Sequence, residues 1–182
     1  MGKVVAAIDP QLRAFIEAQP VFFVATAPSG DDGHVNLSPK GLDTLRVLDE
    51  RTLAYLDLTG SGAETIAHLR QNGRITVMFC AFTGPPNIVR VHGRGEVVRP
   101  GDAGFDELLA GFPPIPGARA VVVVHGERFA TSCGYAVPRM ELVDQRDTLV
   151  QWAERRGPDG LAEYWAEKNV RSIDGLPAVD PA

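Results

Sequence analysis

The stretch that decides the fold is YLDLTGSGAETIAHLRQNGRITVMFCAF, residues 55–82. An apolar strand pattern ends in the small polar loop Thr59-Gly60-Ser61-Gly62, and a helical pattern (64–71) and a second strand (75–82) follow. Backbone N–H groups at a helix start are unpaired and lie at the positive end of the helix dipole. Together with two glycines and two hydroxyls, they predict an anion cradle, most naturally for a phosphate. The alternative is that Ser61 and Glu64 only form a capping box for the helix.

Composition limits the class of protein. The chain has 182 residues, of which 45% are hydrophobic and 23% charged, as in soluble globular proteins. The formal net charge of −5 argues against a nucleic-acid partner, which requires a basic face. No apolar run is long enough to cross a bilayer, and the first residues lack a signal sequence. We therefore expect a cytoplasmic protein with no membrane partner.

Apolar runs separated by turn residues predict a mainly β fold with peripheral helices. Predicted strands lie at 21–27, 34–40, 53–58, 75–82, 88–98 and 120–130, and helices at 9–19, 64–71, 100–109, 147–155 and 161–168. Hairpin-linked strands at this spacing favour a six-stranded antiparallel barrel. Side chains fill the interior of so small a barrel, so a ligand would bind at its rim or at a subunit interface.

The second strand ends in a candidate binding segment. Asn36, Ser38 and Lys40 alternate onto one face. Pro39 cannot donate to a sheet ladder, so this end is an edge or a bend. The backbone from Ser38 to Gly41 is then free to bind a flat heterocycle; the alternative is a solvated strand end.

The strand at 88–98 carries a second candidate. Arg90, His92, Arg94 and Glu96 share one face. They form either a cationic rail beside an anionic ligand or the solvated face of a half-buried strand. Arginine suits a phosphate because its guanidinium can bind two oxygens at once.

Side-chain chemistry for unaided catalysis is missing from the sequence. The four histidines are scattered, the two cysteines have no zinc spacing, and there is no G-x-S-x-G motif. We expect no metal site and identify no catalytic residue. An enzyme built on this chain would depend on a cofactor.

The pattern changes after Pro138. We predict a barrel domain over residues 1–138 and a helical extension over 139–182, packed on the barrel or on a dimer partner. The segment NVRSIDGLP (169–177) contains an Asp-Gly turn signal and is interpreted as a docked terminus.

Five segments in this order resemble the pyridoxamine 5′-phosphate oxidase-like FMN-binding split-barrel family. They cover roughly the first two thirds of the chain, and SCGYAVP (132–138) with the 169–177 segment resembles an oxidase-related subgroup. The five are FFVATA (22–27), VNLSPKG (35–41), YLDLTGSG (55–62), NGRITVMF (72–79) and IVRVHGRGEVV (88–98).

The resemblance implies a six-stranded antiparallel split barrel that forms a homodimer with FMN in two sites at the interface. The strand matching Asn36 to Gly41 would run along the flavin ring. The loop matching Thr59 to Gly62 and the helix start, including Thr65, would meet the phosphate. Arg90 would border the site.

The chain departs from the true oxidases at the loop. They place two basic residues directly after its Gly-Ser pair, where this chain has Gly62, Ala63 and then the acidic Glu64. Lys40, Arg90 or Arg94 would have to supply the missing charge. We therefore predict an FMN-dependent oxidoreductase of unknown substrate, acting by hydride or electron transfer, rather than an oxidase of pyridoxamine 5′-phosphate. The alternatives are a deazaflavin-dependent reductase and a non-catalytic flavin- or haem-binding protein.

Overall fold

The computed structural model describes residues 2–180, and its centre is one curled antiparallel sheet. Its strands are β1 (Lys3–Val5), β2 (Phe22–Thr26), β3 (Asn36–Lys40), β4 (Leu45–Val47), β5 (Thr52–Leu58), β6 (Arg74–Cys80), β7 (Ile88–Val98) and β8 (Ala118–Ser132). The helices are α1 (Pro10–Glu17), α2 (Glu64–Asn72), α3 (Phe105–Leu109) and α4 (Thr148–Lys168).

The strands follow the order β3-β2-β6-β7-β8-β5-β4, with β1 paired to the far end of β8. All neighbours are antiparallel, and β2 and β3 form the predicted hairpin with Phe22 opposite Lys40. The connection from β5 to β6 contains α2. The loop before α2 lies at the end of β5. It is close to the edge strand β3, since Lys40 Nζ lies 3.5 Å from Asp57 Oδ1 and Asn36 donates to Thr65 in the first turn of α2.

The concave side of the sheet holds the main core. Residues alternate between buried and half-buried along β2, with Phe22, Val24 and Thr26 turned inward. The Phe22 ring meets the fully buried Tyr55 ring edge-on, with centroids 5.7 Å apart. Side chains thus fill the interior, as expected for a small barrel.

The mainly β antiparallel architecture is confirmed, and all six predicted strands are present, with each end within two residues of its predicted position. The count of six was too low, because β1 and β4 add two strands of three residues each. Runs this short carry no alternation that a sequence pattern can reveal. The predicted helix at 100–109 is also shorter, since α3 begins only at Phe105 after a turn.

Helix boundaries follow the local signals. Asp9 caps α1 by accepting a hydrogen bond from the Leu12 N–H at 2.7 Å, and Gly73 ends α2 in the left-handed conformation. The α4 region consists of two helices separated at Gly157 (φ 66°, ψ 175°), just before Pro158, which agrees with the two helices predicted there. No helix in the described part of the chain is both long and apolar enough to cross a membrane.

Candidate ligand-binding site

A cavity of about 530 Å³ lies where the β3 edge, the 59–63 loop and the C-terminal segment meet. Its size is in the range of small-molecule sites, which run from roughly 300 to 1,000 Å³. The side chains around it are polar and charged on the loop and tail sides and apolar at the rim. The lining residues are His34, Val35, Asn36, Leu37, Ser61, Gly62, Glu64, Lys168, Arg171, Ser172 and Ile173.

The carbonyl oxygens of residues 60–62 in the loop accept hydrogen bonds from two buried side chains. The fully buried Asn169 amide donates to Gly60 O at 3.0 Å and to Ser61 O at 3.4 Å. Arg119 Nη2 donates to Gly62 O at 3.0 Å. Because a trans peptide holds its C=O and the following N–H on opposite sides, the N–H groups of residues 61–63 point away from Asn169 and Arg119. These N–H groups make no hydrogen bond within residues 2–180. Ser61 and Gly62 line the cavity, so their N–H groups are available to a ligand, whereas Ala63 is buried.

A buried ion pair fixes Arg119. Its Nε donates to the Asp57 carboxylate at 2.6 Å, and its Nη1 donates to Asn169 Oδ1 at 2.8 Å. Lys40 adds a second cation, with Nζ 3.5 Å from Asp57 Oδ1. Removing one partner of a buried pair costs about 3–5 kcal/mol because the other charge is left unpaired. The network therefore holds the loop, the end of β3 and the tail in one arrangement.

Thr59 supports the loop from inside. Its hydroxyl donates to Gly117 O at 2.7 Å and accepts from Trp165 Nε1 at 2.8 Å. The residue is buried, with 1% of its surface exposed. These bonds occupy the hydroxyl and join the loop to α4.

Asn36 is fixed in orientation by two threonines. Its Nδ2 donates to Thr65 Oγ1 at 2.9 Å and to Thr26 Oγ1 at 3.3 Å. Both amide hydrogens are thereby used, and Oδ1 remains as an acceptor at the cavity wall. A ligand beside Asn36 would be recognised through an N–H or O–H donor.

The capping-box alternative for the loop was wrong. The N-cap residue of α2 is Ala63, and no side chain caps the helix. The Glu64 carboxylate instead accepts the Ile173 N–H at 3.2 Å. Glu64 thus connects the helix start to the C-terminal tail and leaves one negative charge in the cavity wall.

The structure brings together only part of the predicted site. Asn36, Ser61 and Gly62 line the cavity, and Thr59, Gly60 and Thr65 directly support its walls.

On β3, Ser38 and Lys40 share the Asn36 face as predicted, whereas Pro39 is exposed on the other face. Ser38 Oγ is buried with no hydrogen-bond partner in the described part of the chain. Gly41 follows the strand, and its carbonyl accepts from the Thr44 hydroxyl.

The β7 arginines do not reach this cavity within one chain. Arg90 donates to Ser132 Oγ at 3.0 Å on the outer face of the sheet. Arg94 lines a separate cavity of about 410 Å³ with His92 and Arg74. The register shift between His92 and Gly93 leaves its extra residue, Glu127, on β8, and the β6–β7 pairing is regular. Arg90, His92, Arg94 and Glu96 therefore share one face of β7, as predicted, but that face lies outside this cavity. The role of Arg90 in a ligand site stays a prediction.

Four residues of the site were not predicted from the sequence: Arg119, Lys168, Asn169 and Arg171. Arg119 precedes an apolar strand and gives no motif. The other three lie in or beside the 169–177 segment, whose unusual composition was the one available signal. That segment is a docked terminus as predicted, with a turn at Gly175 and a bridge between Arg171 and Pro177.

Titratable groups on two sides of the site have shifted pKa values. The backbone N–H and the ring of His34 both bond the Asp174 carboxylate, at 2.8 and 2.6 Å, and they lower the pKa of Asp174. Burial lowers the pKa of His68, which is fully buried in α2 beside Thr26. Its Nε2 has no partner among the described residues. The first contact joins the tail to the segment before β3, and burial favours the neutral form of His68.

Sequence comparison gives the family. The model of the pyridoxamine 5′-phosphate oxidase family matches residues 8–133. The chain belongs to this family. It is also 40% identical over 195 aligned positions to the pyridoxamine 5′-phosphate oxidase family protein ustO of Aspergillus flavus, with 96% of this chain and 77% of ustO covered. That alignment therefore extends into the C-terminal segment.

Solved structures share the split-barrel fold of the family. HupZ from Group A Streptococcus has a TM-score of 0.52 at 24% identity, covering 67% of this chain and 91% of HupZ. A FAD-binding protein from Mesorhizobium loti has a TM-score of 0.51 at 16% identity, covering 72% of this chain and 95% of its own. Identities this low establish the fold alone, so the antiparallel sheet described above is the family's barrel.

Proposed function

We propose that this family member binds a flavin, FMN in the first instance, in the cavity between β3, the 59–63 loop and the C-terminal segment. The observation that carries the proposal is the pair of free N–H groups of Ser61 and Gly62, in a loop held by Asn169 and Arg119 on the wall of a cavity of about 530 Å³. Backbone donors in such an arrangement suit phosphate oxygens. The FAD-binding relative from Mesorhizobium loti supports a flavin as the ligand.

The walls of the cavity fit the two ends of a flavin nucleotide. On one side the loop offers donors to an anion. On the other side Asn36 offers an acceptor, because both its amide hydrogens are engaged. A flavin ring has an imide N–H to donate and a phosphate at the end of its side chain. Bound there, the flavin would supply redox chemistry, and the chain's own residues would orient it.

We further propose that a second copy of the chain completes the site. Val35 and Leu37 at the cavity rim are 74% and 64% exposed, and exposed apolar side chains grouped at a site are typical of an interaction surface. A homodimer would cover them. It would also shield the flavin from water and bring a further surface, which could include Arg90, to the ligand.

The proposal is tested by titrating the purified protein, freed of bound ligand, with FMN, FAD and a deazaflavin while flavin fluorescence is followed. We expect FMN to bind at one molecule per chain, and Asn36→Leu to weaken it by about tenfold through loss of an acceptor and of two supporting bonds. Gln11→Leu, the same kind of change on the exposed face of α1, is the control. Binding of no flavin would contradict the proposal, and binding of the deazaflavin alone would favour the reductase alternative.

The oxidoreductase part of the proposal needs its own measurement. The flavin-loaded protein is mixed anaerobically with NADH or NADPH, and the flavin absorbance is followed. Bleaching, followed by return of the absorbance when an electron acceptor is added, is the expected result. A bound flavin that neither nicotinamide nor dithionite reduces would favour a non-catalytic binding protein.

A further inference from the structure

The cavity wall carries cations that the loop itself lacks. Lys168, the last residue of α4, and Arg171 in the tail line the same cavity as Ser61 and Gly62. The charged groups facing them are the Glu64 carboxylate and the His34–Asp174 pair. Two cationic side chains thus line the cavity together with the Glu64 carboxylate, at the point where the loop offers only backbone N–H groups.

The fold holds both cations beside the loop. They flank Asn169, whose amide bonds Gly60 O and Ser61 O. One turn earlier, Trp165 donates to Thr59. Positions 168 and 171 therefore cannot move away from the loop unless these buried hydrogen bonds break.

Neither cation is engaged by a strong competing partner. Lys168 Nζ lies 2.7 Å from the Glu167 carboxylate, and the two side chains are 52% and 68% exposed. An exposed pair of this kind contributes little, so the ammonium group can turn to a ligand. Arg171 Nη1 donates to Gly175 O at 2.8 Å, and its guanidinium makes no ion pair with a carboxylate of residues 2–180.

We propose that Lys168 and Arg171 are specificity-determining residues that bind the phosphate group of the ligand and make the site select phosphate esters over their unphosphorylated forms. The inference rests on the proposed flavin site and assigns its charge to the C-terminal segment rather than to Lys40, Arg90 or Arg94. A guanidinium binds two phosphate oxygens at once, an ammonium adds a point charge, and the loop N–H groups complete the shell.

The experiment compares FMN with riboflavin, which differs by the phosphate alone, in the wild type and in Lys168→Ala and Arg171→Ala. The ratio of the two dissociation constants isolates recognition of the phosphate, and a general loss of folding would move both constants together. We expect each substitution to lower the preference for FMN by about fivefold or more, with riboflavin unchanged. Arg155→Ala, which removes an exposed arginine of α4 outside the cavity, is the control.

Each outcome decides the inference. A preference for FMN that both variants retain would overturn it while leaving the flavin proposal intact. If the wild type binds no flavin, the flavin proposal fails, and calorimetric titration with inorganic phosphate decides the charge assignment. Phosphate binding by the wild type that is lost in Arg171→Ala would then support the assignment, and no phosphate binding would overturn it as well.

Discussion

At the scale of single residues, Glu64 opposes the anion that the rest of the site favours. Its carboxylate lies in the cavity wall and accepts the Ile173 N–H. Glu64→Gln keeps that acceptor and removes the charge, so FMN should bind about two- to fivefold more tightly while riboflavin is unaffected. Fluorescence titration of both flavins measures this effect. Equal affinities in variant and wild type would show that no ligand phosphate lies near residue 64.

His68 gives a second prediction at this scale. Burial lowers its pKa from the ordinary 6.5, so the unfolded chain binds a proton on this residue at a higher pH than the folded chain does. The stabilising contribution is complete above about pH 6.5 and is lost as the pH falls towards the lowered folded-state pKa. The Thr26 hydroxyl contacts the ring at Nδ1, and the negative charges of Asp174 and Glu64 oppose the shift of the pKa.

The measurement is urea unfolding between pH 5 and 8. His68→Gln should flatten the loss of stability below pH 6.5, since a neutral amide takes up no proton. His125→Gln, at an exposed imidazole, should leave the profile as in the wild type. If His68→Gln showed the same dependence of stability on pH as the wild type, the lowered pKa of His68 in the folded protein would be contradicted.

At the scale of elements, the bulge where β7 meets β8 depends on Gly93. A Cβ atom at this position would lie 2.0 Å from His125 O, closer than any real contact of that kind. Gly93→Ala should therefore cost about 1–3 kcal/mol in the free energy of unfolding, since the backbone must move. Gly160→Ala, in a helix with only ordinary contacts, should instead stabilise by about 0.5–1 kcal/mol.

Chemical denaturation of both variants checks the pair. Gly93 and Gly160 receive the same substitution in different surroundings. The sign of the change in the free energy of unfolding is therefore the decisive quantity. A Gly93→Ala protein as stable as the wild type would mean that the register shift between His92 and Gly93 is not a requirement of the sheet.

The elements also show what a sequence pattern can predict. β7 alternates apolar and polar residues along most of its length. β2 and β6 are largely apolar runs bounded by turn residues, and α2 is bounded by a polar loop and a Gly73 cap, so all four were predictable. β1 and β4 are defined by pairing with β8 and β5. With three residues each, they have no internal pattern to reveal that pairing.

In the candidate site, local sequence signals predicted the 59–62 loop but not the cationic side chains beside it. Asn36 and the 59–62 loop carry residue types that point to binding by themselves. Lys168 and Arg171 reach the loop only because α4 turns at Gly157 and Asn169 then bonds residues more than a hundred positions earlier. Contacts over such a separation follow from tertiary packing, and no spacing rule contains them.

At the scale of the whole molecule, the exposed rim of the cavity predicts a homodimer. Leu37→Asp places a charge on that rim, so it should convert a dimer to a monomer and weaken flavin binding in parallel. Light scattering coupled to size-exclusion chromatography gives the mass. Leu48→Asp, at a 46% exposed leucine outside the cavity lining, is the matched control. A wild-type protein that is monomeric at every concentration tested would contradict the proposed homodimer.

In the proposed site, the backbone N–H groups of Ser61 and Gly62, in the loop held by Asn169 and Arg119, bind the phosphate of a flavin nucleotide. The most direct measurement is the amide nitrogen–proton NMR spectrum of the labelled protein with FMN and with riboflavin. We expect FMN to shift the amide resonances of Ser61 and Gly62 strongly and riboflavin to shift them little. FMN that binds without moving these two resonances, or that moves only resonances remote from the loop, would contradict phosphate binding by the loop.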